Sequence, residues 1–180
     1  FNGWAMQDDE GVTTFADREV FHGGRTSLRM ESIGRNEHRH CRLMQPIKLQ
    51  PYRQYRISVW VRTEDMVPAA PEVKVLTPDT SGSVSFQTFR AERTQDWTHY
   101  DLVFNSLGHH EARLYMGSWW GKDGKLWWDD LTVEEIGLVN VLRRPGCPVT
   151  VAAEDGTVYE EGRDYERIVF ILSYQLFAWD

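Results

Sequence analysis

Cysteine is scarce in this chain. Two cysteines in 180 residues, Cys41 and Cys147, are too few for a disulfide scaffold. A chain of this length can bury roughly 70% of its unfolded surface, so its core needs no such staple. Cys41 falls on the apolar parity of its strand and Cys147 lies between prolines, a placement that does not indicate a disulfide. Long apolar runs are also missing. The longest near the end, Ile168 to Leu172, is followed at once by Ser173, Tyr174 and Gln175, far short of the roughly 20 residues of a membrane span. A soluble chain with no membrane partner is expected. Cations are outnumbered, with 20 Lys+Arg against 27 Asp+Glu and a formal charge of −7. That balance repels phosphate backbones and argues against nucleic acid as a partner. No Ser-His-Asp elbow, Walker loop or dinucleotide fingerprint occurs. The chain starts at Phe1 without a basic or apolar leader, as in a processed secreted protein or a piece of a longer one.

Sustained 3.6-residue periodicity is absent as well, and period 2 takes its place. Tyr55, Ile57, Val59 and Val61 alternate with Arg56, Ser58, Trp60 and Arg62. Tyr100, Leu102 and Phe104 alternate with His99, Asp101 and Val103, and Ala112, Leu114 and Met116 with Arg113 and Tyr115. Short strands also read over Ser27 to Met30, Glu72 to Leu76, Ser83 to Phe89 and Leu126 to Glu134. Seven or more such strands between Gly, Pro, Asp and Asn turns predict an all-β fold, an antiparallel β-sandwich of jelly-roll type with very little helix. After Gly137 the pattern changes to a linker-like stretch, Arg143-Arg144-Pro145-Gly146-Cys147-Pro148. A domain over 1–137 is expected, with 138–180 a linker or the start of a following unit.

Aromatic residues are what the sequence has in excess: eight Trp, seven Tyr and eight Phe, with four of the Trp between Trp119 and Trp128. Flat apolar rings suit the CH faces of sugars, and Arg, His, Asn and Gln suit their hydroxyls. Alternation puts Arg56, Trp60 and Arg62 on the non-core face of one strand, His99 and Asp101 on that of a second and Arg113 and Tyr115 on that of a third, which make one polar, aromatic-bearing surface if those strands are neighbours. The candidate ligand set is therefore Trp60 and Tyr115 as platforms, Arg56, Arg62, His99 and Arg113 as polar groups, and Trp119 or Trp120 as a wall. Trp97, Trp127 and Trp128 read as core or rim packing. Asp129 and Asp130 are adjacent on a strand, so opposite orientations are expected, which argues against a glycosidase pair. His38, His40, His109 and His110 do not complete a zinc site and read as exposed.

Several segments carry a family resemblance. Gln45-x-Ile47-x-Leu49-x-Pro51-x-x-x-Tyr55-x-Ile57-Ser58-x-Trp60-Val61, Trp97-x-x-Tyr100-x-Leu102-x-Phe104 and Leu126-Trp127-Trp128-Asp129-Asp130-Leu131-Thr132-Val133 resemble strands of carbohydrate-binding modules of the family 4, 9, 16 and 22 type. So does the turn His22-Gly23-Gly24-x-x-Ser27-Leu28. The resemblance covers about residues 20–135. It implies a galactose-binding-like sandwich, secreted and monomeric, that holds a polysaccharide or oligosaccharide for a larger glycoside hydrolase without catalysis of its own. It also implies a structural Ca2+ at Asp129 or Asp130 with carbonyls of the Gly23 turn, Asp129 being favoured because it shares parity with Leu131 and Val133. The family's first strand, with its calcium ligand, is not recognisable in Phe1-Asn2-Gly3-Trp4, and the tail after Ile168 has no counterpart. Two readings stand beside this one: a jelly-roll polysaccharide lyase using His99 or Tyr115 as base, and a structural or protein-interaction sandwich.

Overall fold

The computed structural model describes residues 3–8, 10–35, 37–136 and 150–165. The chain divides into two compact units, Phe1–Glu135 and Ile136–Asp180. The first contains β1 (Ala5–Met6), β2 (Thr14–Asp17), β3 (Ser27–Glu31), β4 (His40–Lys48), β5 (Gln54–Val67), β6 (Glu72–Leu76), β7 (Ser83–Thr88), β8 (Gln95–Asn105), β9 (Glu111–Trp119) and β10 (Asp123–Ile136). Its one helical element among the described residues is a 3₁₀ turn over Ile33–Arg35.

The strands form two antiparallel five-stranded sheets, ordered β1-β4-β9-β6-β7 and β2-β3-β10-β5-β8. The alternating side chains explain why they pair face to face. Tyr55, Ile57, Val59 and Val61 of β5, Leu126 and Trp128 of β10, and Leu43 of β4 are all buried, as are Val73 and Val75 of β6 and Ala112, Leu114 and Met116 of β9. They join one apolar cluster between the sheets. Burying a Leu or Val side chain contributes about 1.5–3 kcal/mol, and because the period is two, a one-residue slip would turn each strand's apolar set outward. The expected all-β sandwich is the observed fold. Cys41 is buried, with its Sγ 3.0 Å from Thr14 Oγ1.

One break in alternation, in β10, sets where the Asp129-Asp130 pair points. Trp128 packs into the core, as do Leu131 and Val133 further along β10, which leaves two residues between consecutive inward positions. The extra residue is Asp130, whose φ of 46° places it in the left-handed region, where an aspartate is tolerated better than most residues.

In the second unit β11 (Val151–Ala152) pairs antiparallel with β12 (Val158–Tyr159). The proline-containing stretch with Cys147 and the apolar tail from Ile168 lie outside the described residues, as do Phe1 and Asn2.

Candidate functional site

The two outer faces of the sandwich carry different surfaces, and the residues singled out from sequence are divided between them. On the sheet containing β5 and β8, Trp60 stands opposite His99, Ser58 opposite Asp101 and Arg56 opposite Val103. Arg56, Trp60, Arg62 and His99 therefore share a face, because each has the outward parity of its strand and β5 and β8 are neighbours. That face is already engaged internally. The His22 imidazole lies flat on the Trp60 indole, with centroids 3.9 Å apart and planes 16° apart, and Trp97 meets His22 edge-on at 5.8 Å. The ring of His99 tilts against Trp60 at 5.3 Å. Arg56 pairs with Glu134 at 2.9 Å, and His99 Nδ1 lies 3.7 Å from Asp101. Arg62 lies over the buried Trp127 ring, 5.4 Å from its centroid, with Asp96 at 3.9 Å.

His22 is held over Trp60 by the aspartate pair. Its backbone N–H donates to Asp129 Oδ2 at 2.7 Å, and the Gly23 N–H donates to the same oxygen at 3.1 Å. His22 Nδ1 lies 2.7 Å from Asp130 Oδ2. The bulge thus turns both carboxylates to one turn, which corrects the expectation of opposite orientations. It also removes the parity argument that favoured Asp129 over Asp130 for calcium, because Asp129 does not share the inward parity of Leu131 and Val133. Gly23 lies so close that an added Cβ would sit 2.4 Å from Asp130 Oδ2. Next to this turn is a cleft of about 250 Å³ lined by Trp4, Thr26, Gln45, Asp129 and Asp130 among others. No group of three His, Cys, Asp or Glu side chains converges as a metal site among the described residues.

Arg113 and Tyr115 lie elsewhere. Their strand, β9, is the centre of the other sheet, so these two residues do not join Trp60; period alone could not supply the strand order. Around them the ladders place Met44, Tyr115, Lys74 and Phe86 in one row, and Arg42, Gly117, Glu72 and Thr88 in the next. Tyr115 is half-buried, while Phe86 is 58% exposed at the sheet edge. Nε of Arg113 donates to the Pro78 carbonyl. Arg42 grips Asp8 through two hydrogen bonds of 2.9 Å, and Lys74 pairs with Glu72 at 3.1 Å.

At the end of β9, Lys74 Nζ sits 3.7 Å over the Trp119 ring. His40, paired with Trp119 across the ladder, is half-buried rather than exposed as read from sequence. Burial holds its imidazole below the usual histidine range; Arg42, His38 and Lys74 act the same way and Asp8 opposes them. From Arg113 to Trp119 the row of outward positions runs about 20 Å, six steps of ~3.3 Å.

Gly117 keeps this row continuous. A Cβ there would lie 2.0 Å from the Cys41 carbonyl oxygen, so β4 can approach β9 only because the side chain is missing. Gly117→Ala is expected to destabilise the protein by roughly 2–4 kcal/mol, since backbone must move to relieve the overlap. A urea melt with an unchanged midpoint would refute this.

Sequence alone does not single out His40, Arg42, Glu72, Lys74 and Phe86 as one surface. Their signal was present in the outward parity of β4, β6 and β7, but only the strand order gathers them around Tyr115.

A sandwich with aromatic and polar side chains arrayed across an outer sheet face is the architecture of a carbohydrate-binding module. Residues 1–122 match the family described as carbohydrate binding domain, and the chain belongs to that family. Among solved structures it is similar to a family 16 carbohydrate-binding module, at 17% identity and a TM-score of 0.56, covering 74% of this chain and 92% of that one. It is also similar to a CBM4 module, at 16% identity and a TM-score of 0.55, covering 74% and 86%. A third is TmCBM61 in complex with β-1,4-galactotriose, at 12% identity and a TM-score of 0.51, covering 76% and 90%. No curated protein matches the sequence.

Proposed function

We propose that this chain holds a polysaccharide or oligosaccharide, without catalysis, on the outer face centred on β9. The observation that carries the reading is the row Met44–Tyr115–Lys74–Phe86 flanked by Arg113 and Glu72. It sets aromatic surface beside fixed donors and acceptors, which is what a pyranose chain needs. Trp60, by contrast, already carries His22 on one face of its ring.

Affinity electrophoresis through gels containing β-glucan, xylan or β-1,4-galactan tests the proposal. Retardation by at least one gel is expected, and migration unchanged in all of them would overturn it.

A structural calcium ion belongs to the same proposal. The cleft beside Asp130 offers oxygen donors from Thr26 and Gln45 in addition to the carboxylates, the ligand type a hard cation takes. Asp129 is less suited, since both its oxygens accept backbone N–H groups, of His22, Gly23 and Asp130, whereas at Asp130 the His22 imidazole meets only Oδ2. Asp130 would hold the ion, with Thr26 and Gln45 beside it. Melting in EGTA is expected to fall several degrees below melting in calcium; identical curves would remove the ion from the account.

A further inference from the structure

We infer that Trp120 is a fixed stacking platform beyond the end of β9, propped by His40, that adds one sugar subsite to the face proposed above. The inference rests on that reading of the face and extends it.

Trp119 and Trp120 are adjacent but differently placed. The Trp119 indole is half-buried and carries the Lys74 ammonium on one face. Trp120 is 69% exposed. Its φ of 64° lies in the left-handed region, an outlier for a bulky residue and one that persists only where the surroundings enforce it. Here they do. The Gly121 N–H donates to the Arg39 carbonyl at 3.0 Å and the Lys122 N–H to the Val67 carbonyl at 2.8 Å, so the chain is tied immediately after the strained residue. Ile33 packs against Gly121 so closely that an added Cβ would lie 2.6 Å from its Cγ2. The turn cannot relax without breaking these contacts, and it projects a large apolar ring into solvent.

His40 supplies the second observation. Its ring meets Trp120 edge-to-face, with centroids 5.4 Å apart at 88°, and Trp119 at 6.3 Å. Its Nε2 is buried and has no hydrogen-bond partner. A buried polar atom left without a partner costs desolvation free energy, so the ring is not held there by a hydrogen bond at that nitrogen. Contact with the two indoles is what the imidazole has instead, and it sets the angle at which Trp120 stands. His40 is a positioning residue, and Trp120 is the group that touches the ligand.

The expected behaviour is a dependence on ligand length. A short oligosaccharide occupies the face around Tyr115 and does not reach the rim, whereas a longer one of the same series gains a stacking contact at Trp120. Calorimetry with graded xylo-, cello- and β-1,4-galacto-oligosaccharides measures this. Trp120→Ala is expected to weaken binding of the long members by about tenfold, the worth of one stacked ring, and to leave the short members unchanged. His40→Ala should show the same length-selective loss, and the double variant should be no weaker than Trp120→Ala alone.

Trp120 is exposed and its replacement leaves the core untouched, so that variant carries the test even if His40→Ala folds poorly. Long members bound equally well by Trp120→Ala, while Tyr115→Ala loses them, would overturn the subsite and leave the face in place. Equal losses for short and long members would also overturn it. If the unaltered chain binds none of the three series, or Tyr115→Ala is without effect, the face and the subsite both fail.

Discussion

Tyr115→Ala loses glycan retention, and Trp60→Ala keeps it. The expectation follows from what each ring already touches. Tyr115 is at the middle of the central strand, with Met44 and Lys74 as its ladder neighbours and Phe86 one strand further. Removing it takes away the only aromatic ring in the centre of that row. Loss of a stacked ring of this size is worth about 1.5–3 kcal/mol, or roughly 10–150-fold in affinity. Trp60 is in a different position, because the His22 imidazole already occupies one face of its indole at stacking distance. Its truncation removes that stack and the His99 contact, so the effect falls on stability, where such aromatic pairs contribute about 0.5–1.5 kcal/mol beyond burial. Affinity electrophoresis and thermal melts on the two variants separate these effects. Retention lost in Trp60→Ala but kept in Tyr115→Ala would move the binding face to the other sheet.

Which residues face outward was legible in the sequence, because period 2 survives any rearrangement of strand order. The parity of Arg56, Trp60 and Arg62, of His99, and of Arg113 and Tyr115 is that of the structure. Neighbour relations were not legible. Strands β8 and β9 are consecutive in sequence and resemble a hairpin, yet they belong to different sheets, so one candidate surface became two. The Asp129-Asp130 pair shows a second limit. A bulge depends on one residue adopting a left-handed φ, and nothing in Trp128-Asp129-Asp130-Leu131 announces which residue does so until the three-residue spacing from Trp128 to Leu131 is seen against the core. His22 shows a third. The glycine-rich turn was recognisable, but its fold across onto Trp60 depends on Asp129 and Asp130, more than a hundred residues away. The Trp127-Trp128 pair is legible as packing, and both are buried.

Asp17→Asn is expected to lower stability by about 3 kcal/mol near neutral pH. Asp17 ends β2 and is 4% exposed. Its Oδ2 accepts the Trp127 indole N–H at 2.9 Å and an Arg29 N–H at 3.0 Å, while Oδ1 accepts the N–H groups of Glu19 at 2.9 Å and Val20 at 3.1 Å. Burial pushes this carboxyl up. The hydrogen bonds from Trp127, Glu19, Val20 and Arg29 outweigh burial and bring it from 3.8 down to about 2. An asparagine fits the space but turns one oxygen into a donor, which must then face either Trp127 and Arg29 or the two backbone N–H groups. One pair of bonds is lost and Arg29 loses the charge of a buried partner, changes that together cost about 2–4 kcal/mol.

The same network fixes the pH dependence. Between pH 3.8 and about 2 the unfolded carboxyl holds a proton that the folded one does not. The stabilisation is therefore complete above 3.8 and disappears as the pH falls through about 2. The difference of 3.8 − 2 = 1.8 in pKa corresponds to roughly 2.4 kcal/mol. Urea melts of the two proteins should differ most near neutral pH and converge in acid, since the asparagine does not titrate. A stability gap of the same size at pH 7 and at pH 2.5 would show that the charge of Asp17 is not what the Trp127 and Arg29 contacts depend on.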